Sequence, residues 1–252
     1  MSTAAATPAR PPRATIRWAW GLLLGRTLLF VAAQGVVVAG LAVAGTREPW
    51  WSSAAWWPVS ATIANLVGLA LLGRRLRVEG VGWRGLLLPG PGSWRRDGLV
   101  ALALLPLIAV AGALPPVWIG ASLWGDPAVG QDLLIGPLPG WAALVALLLF
   151  PVSTAAVELP TYAGYVLPRL RSAGMPVVAA VAVVGLVLGA QHGALPFLPA
   201  SQFFLWRTTM FVPFALVLIA ALAWRPRLLP WFVAVHLLLD ALAGLQVWLA
   251  AG

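Results

Sequence analysis

The sequence predicts an all-α fold: a polytopic transmembrane helical bundle of about seven spans, with the N-terminus in and the C-terminus out. Three observations carry this. Of 252 residues, 61% are hydrophobic and only 9% charged, whereas a soluble domain needs about a quarter charged to cover its surface. Mean hydropathy is +0.92. Apolar runs recur at lengths that suit a hydrocarbon core crossed by roughly 20 helical residues.

The first run follows an Ala/Pro-rich tail, residues 1–15, expected to be a disordered cytoplasmic segment. The run extends from about Trp18 to Ala42. That is too long for the apolar region of a signal peptide, so it reads as a retained span. Further spans follow at Ala54–Leu72, Leu99–Val117, Trp141–Val166, Pro176–His192, Phe204–Trp224 and Leu229–Ala250. The fifth is short, and Pro196 and Pro199 follow its far end. Residues 16–140 are expected to form N-terminal transmembrane helices with a basic cytoplasmic loop, and residues 141–250 the functional core.

Arginine sets the orientation, because cytoplasmic loops collect basic residues. The tail and the loops after spans 2, 4 and 6 hold 13 of the 16 arginines. Arg47 and Arg207 fall on the opposite side, and Arg26 lies inside span 1, where it can snorkel or pair with an acid. All 16 basic residues are Arg and none is Lys. With the heavy Ala, Gly, Pro and Val usage this points to high-GC bacterial coding, hence to a bacterial inner membrane and not to nucleic-acid binding. The absence of cysteine excludes disulfides, thiol chemistry and Cys-ligated metals. Trp18, Trp50, Trp57, Trp118, Trp141, Trp206, Trp224, Trp231 and Trp248 fall near span ends, where indoles anchor at the headgroups. Gln34 and Asn65, inside spans 1 and 2, line the interior or bond a neighbouring helix.

Four ionisable residues sit where they are costly. Glu158, His192, His236 and Asp240 all fall within, or at the end of, apolar runs, and such groups must face protein or water and find partners. At 1.5 Å per residue from the Arg-rich side, Glu158 lies about 16 Å deep, His192 about 24 Å, His236 about 14 Å and Asp240 about 20 Å. His236 and Asp240 are four residues apart and share a helix face. The quartet can therefore converge. Two imidazoles and a carboxylate can hold a metal with an open position, with Glu158, His192 and His236 as ligands and a divalent ion such as zinc as the one cofactor in view. Alternatively, a carboxylate and a histidine polarise water directly while the other pair stabilises an oxyanion. A proton or ion path, or simple helix–helix bonding, uses the same residues.

Three motifs narrow the choice. Glu158-Leu159-Pro160-Thr161-Tyr162-Ala163-Gly164-Tyr165 is followed by Val166-Leu167-Pro168-Arg169-Leu170. Leu188-Gly189-Ala190-Gln191-His192 and His236-Leu237-Leu238-Leu239-Asp240 come later. Their order and spacing resemble the CPBP family of intramembrane proteases, related to CAAX-prenyl endopeptidases. The resemblance covers about Trp141–Gly244. It implies that Glu158 and His192 activate water and that His236 and Asp240 stabilise the oxyanion. It also implies a peptide or membrane-protein substrate met in the lipid bilayer. Two positions depart from the family pattern: Leu159 replaces a second Glu, and Ala163 replaces an Arg. Two alternatives follow: a catalytically inactive membrane scaffold, or a small-solute or proton-coupled transporter. Pro160 is expected to kink span 4 near Glu158, Gly164 to serve close packing, and Tyr162 and Tyr165 to pack or to join the site.

Overall fold

A computed structural model describes residues 12–88 and 90–251. The expected disorder of the tail falls mostly on residues 1–11, outside that range, and Arg13 already opens the first helix. Among the described residues there are seven helices long and apolar enough to span a membrane, and no strand. They are α1 (Arg13–Val43), α2 (Trp57–Val78), α3 (Trp94–Trp124), α4 (Gly140–Ser172), α5 (Val177–Ala194), α6 (Ser201–Trp224) and α7 (Pro226–Ala250). Each coincides with one of the apolar runs. The protein is a multi-pass membrane protein.

Local chemistry explains the ends. Ser93 caps α3 by accepting from the Arg96 N–H, and Gly125 ends it with φ 76°, a left-handed value that costs glycine little. Pro58 starts α2 where its missing N–H has no helical partner to lose. Pro213 stands just after a break in α6 at Met210–Phe211.

Helix α4 is the most buried span and the hub. Its middle packs on α2 and α7, while α1 packs on α2, and α5 on the second half of α6. Helix α3 is the least buried. It turns Leu99, Leu102, Leu107, Val110 and Trp118 outward, as a lipid-facing helix does. Twelve of the arginines expected on one side lie at the described ends of α1, α2, α3, α4, α6 and α7 and on the segment joining α2 to α3. Those ends meet: Arg169 of α4 pairs with Glu79 at the end of α2, and Arg75 donates to Thr15 of α1 at 2.9 Å.

The interior holds two apolar clusters with a polar layer between them. One cluster, toward the Arg-rich end, includes Leu23 of α1, Leu72 of α2, Tyr165 of α4, Val184 of α5, Ile219 of α6 and Phe232 of α7. The other includes Phe30, Ala64, Phe150, Ala194, Trp206 and Val247 from the same six helices in order. The residues between them in sequence are polar: Arg26 on α1, Asn65 on α2, Thr154 and Glu158 on α4, Gln191 and His192 on α5, His236 and Asp240 on α7. Five spans therefore bring polar side chains to one layer.

Two expectations need correction. Trp57 and Trp206 are not interfacial anchors: they are 9% and 1% exposed and lie in the second apolar cluster. Trp18, Trp118, Trp141, Trp224 and Trp248 are exposed, as anchors are. Arg207 is not on the outer surface but buried, at 5% exposure. The α5–α6 connection explains both. Leu195 and Leu198 are buried, so this segment dips back into the bundle and takes the start of α6 with it. Gln34 clamps it, accepting from Phe197 N–H at 2.7 Å and donating to the Phe197 carbonyl at 3.0 Å.

Candidate active site

Glu158 sits at the end of an α-helical stretch of α4, immediately before a π-helical stretch, Pro160–Val166. The expected kink at Pro160 is realised as this wider turn. Proline cannot donate to the ladder, and π-turns in helices favour functional sites. The Glu158 side chain is 5% exposed. Its Oε2 accepts from Arg26 Nη2 at 3.2 Å and from Gln191 Nε2 at 2.9 Å. Its Oε1 faces His236 Nε2 at 3.5 Å. His236 Nε2 lies 3.4 Å from Asp240 Oδ2, one turn along α7. Both contacts are longer than a good hydrogen bond, as catalytic contacts often are before substrate arrives.

Arg26 is held in turn. It donates to Asn65 Oδ1 at 3.0 Å, and Asn65 Nδ2 donates to Thr154 Oγ1 at 2.9 Å and Ser153 Oγ at 3.2 Å. Gln191 is fixed by the Tyr162 hydroxyl, which donates to Gln191 Oε1 at 2.7 Å. Of the two tyrosines, Tyr162 thus supports the site. Tyr165 belongs elsewhere, donating to Glu79 Oε1 at 2.7 Å. Gly164 meets Leu229 and Leu86 side chains, the close-packing role expected of it.

His192 is the fourth member. It opens onto the same cavity as Glu158, His236 and Asp240, a space of about 610 Å³, but makes no direct contact with Glu158. Its Nδ1 lies 3.0 Å from the Gly189 carbonyl. A carbonyl only accepts, so Nδ1 carries the proton and Nε2 of the neutral ring is the basic nitrogen. Its ring rests against Phe211, centroids 4.4 Å apart.

The chain matches no family model, no curated protein and no solved structure. The site must therefore be read from its own geometry.

A metal centre built on Glu158, His192 and His236 is not what the geometry offers. Among the described residues no three His, Cys, Asp or Glu side chains are grouped closely enough to hold an ion. The reasons are local. Glu158 Oε2 is already bonded to a guanidinium and an amide, the Arg26 charge repels a second cation, and His192 stands apart. The donor set does not fit a divalent metal.

Sequence reasoning passed over Gln191 and left Asn65 undecided. Gln191 adjoins His192 in an otherwise apolar run, and that adjacency was the available signal. Arg26 was expected either to snorkel or to pair, and it pairs with Glu158.

Proposed function

We propose that this protein is a CPBP-like intramembrane endopeptidase of a bacterial inner membrane, with its Arg-rich face cytoplasmic. The observation that carries the reading is the carboxylate–imidazole–carboxylate contact of Glu158, His236 and Asp240 on a cavity that also holds the basic nitrogen of His192. This arrangement supports direct activation of water. Glu158 takes a proton from water as its oxygen bonds to the peptide carbonyl carbon. The His236 Nε2–H, set between Glu158 Oε1 and Asp240 Oδ2 by long contacts, turns from them to donate to the developing oxyanion. When the C–N bond breaks, the proton held by Glu158 passes to the leaving amine, regenerating the carboxylate. His192 Nε2 orients the water from the α5 side. Arg26 balances the Glu158 charge in the role of the cation missing at Ala163, now supplied from a different helix.

The same saturated network around Glu158 Oε2 also favours a second reading, an inactive scaffold held together by a buried ion pair. One experiment separates them. Purified protein in proteoliposomes is incubated with membrane proteins extracted from its host, and new peptide N-termini are sequenced. The wild type should generate a set that the Glu158→Gln and His236→Ala variants lack. Identical sets from wild type and both variants, or no new termini from any, would sink the peptidase reading. Proton flux into the vesicles abolished by Glu158→Gln would point to transport instead.

A further inference from the structure

We propose that Arg207 forms an anion subsite at the pole of the cavity away from Glu158. It takes the carboxylate or phosphate of an amphipathic molecule whose apolar chain lies along α3 and α6. Arg207 lines the cavity and is 5% exposed. All seven acids of the chain lie within the described residues, and Arg207 pairs with none of them. Arg26 has Glu158, Arg75 and Arg169 have Glu79, and Arg225 and Arg227 share Asp97. A buried guanidinium without a counter-ion is expensive in a membrane interior and marks a functional position.

The rest of its surroundings orient the group without neutralising it. Nε donates to the Leu195 carbonyl at 3.0 Å, and Nη1 approaches Met210 Sδ at 3.8 Å. The guanidinium carbon lies 5.9 Å from the Trp57 ring centre and 5.7 Å from that of Phe211. Guanidinium has five N–H donors in a planar fork that matches a carboxylate or phosphate. After these contacts most of the fork remains free for a ligand.

At Glu158 the Arg26 cation is already paired and Asp240 adds a second acid nearby, so the unpaired cation that an anionic ligand meets in this cavity is Arg207. The wall between is apolar: Leu105, Ile108, Ala109, Gly112, Phe214 and Leu218. It would solvate a hydrocarbon chain or apolar side chains. At about 610 Å³ the space is of the size that holds a small amphipathic ligand.

The test is binding by the wild-type full chain in an uncharged detergent, read as energy transfer from tryptophan to cis-parinaric acid. The acid should bind saturably, and its methyl ester roughly tenfold more weakly, the loss expected for one charge-assisted hydrogen-bond pair. Arg207→Gln should bring the acid to the level of the ester, and Arg207→Lys should restore part of the difference. Lysophosphatidic acid, or an apolar heptapeptide with a free C-terminal carboxylate, should displace the probe better than an uncharged monoacylglycerol or the amidated peptide. Whichever does so identifies the source of the anion. Equal binding of acid and ester to the wild type would overturn the proposal, as would an acid preference undiminished in Arg207→Gln. The acid–ester comparison needs no variant to fold. Because it reads binding and not cleavage, it stands or falls apart from the peptidase reading.

Discussion

Arg26 Nη2 and Glu158 Oε2 meet at 3.2 Å across 132 residues of sequence, with side-chain exposures of 3% and 5%. The pair ties the first span to the fourth at the polar layer. Neither residue stands alone: Asn65 and the Thr154 and Ser153 hydroxyls extend the Arg26 side, and Gln191 and Tyr162 the Glu158 side. In a low-dielectric interior such a network is worth much only while complete.

Breaking this pair from one side should be costly. Arg26→Met leaves a buried carboxylate without its cation, a change that costs about 3–5 kcal/mol in buried pairs. Glu158→Gln strands the guanidinium. The double variant Arg26→Met/Glu158→Gln removes both charges and should be destabilised by clearly less than the sum of the singles. Unfolding of the four proteins in detergent closes the cycle. Additive losses would mean that the two residues are not energetically coupled.

Gln191 should matter more than the tyrosine that holds it. Gln191→Leu removes one of two donors to Glu158 Oε2, leaving Arg26, and the near acceptor of the Tyr162 hydroxyl, leaving the Leu23 carbonyl at 3.4 Å. Weakening two buried polar groups costs about 1–3 kcal/mol in all. Tyr162→Phe removes a single O–H and leaves only the Gln191 oxygen unpaired. Thermal unfolding should rank wild type above Tyr162→Phe and that above Gln191→Leu. The reverse order would place the support of Glu158 elsewhere.

The seven spans were legible because lipid demands long apolar runs, and the runs of this chain coincide with its helices. The quartet of Glu158, His192, His236 and Asp240 was legible because charge is scarce: a residue that costs several kcal/mol in lipid stands out among alanines and leucines. Arg207 was misplaced for the complementary reason. A charge near a span end reads as interfacial, and nothing in hydropathy reveals that Leu195–Ala200 folds back inside and carries that end with it. Trp57 and Trp206 misled in the same way. The metal trio failed on distances between helices, which composition does not encode. Arg26 reaches Glu158 from another helix, and only tertiary structure shows that pairing.

Acid should loosen the Arg-rich end of the bundle. The Glu79 carboxyl is half-buried, which by itself would raise its pKa. Hydrogen bonds from Arg169, Tyr165 and Arg75 outweigh this and hold it below the ordinary carboxylate value. A carboxylate with a depressed folded-state pKa contributes stability that is full above its unfolded pKa of about 4.3 and is lost as pH falls through the folded value. Glu79→Gln should therefore lower the melting temperature at pH 7, and the gap to wild type should close as pH is taken from about 5 to 3. A gap that stays constant over this range would show that Glu79 titrates alike in folded and unfolded chains.

The placement of His236 and Asp240 rests on a glycine eight and four residues farther along α7. A Cβ on Gly244 would collide with the Ala146 carbonyl and crowd Leu147 Cα. Both neighbours are backbone, in the π-helical stretch Val145–Leu149 of α4, so neither can move aside as a side-chain tip would. Gly244→Ala must push α7 away from α4, and with it the face that brings His236 Nε2 to 3.5 Å from Glu158 Oε1. Overpacking of this kind costs about 1–3 kcal/mol. The effect on the site should exceed the effect on stability, because catalytic geometry tolerates displacements of only about 0.5 Å. Generation of new peptide N-termini should fall at least tenfold in Gly244→Ala protein that still unfolds cooperatively, while Gly140→Ala, at the start of α4 with open space around its Cβ, should match wild type. Full activity in Gly244→Ala would show that the α4–α7 contact does not set the distance between the two halves of the site.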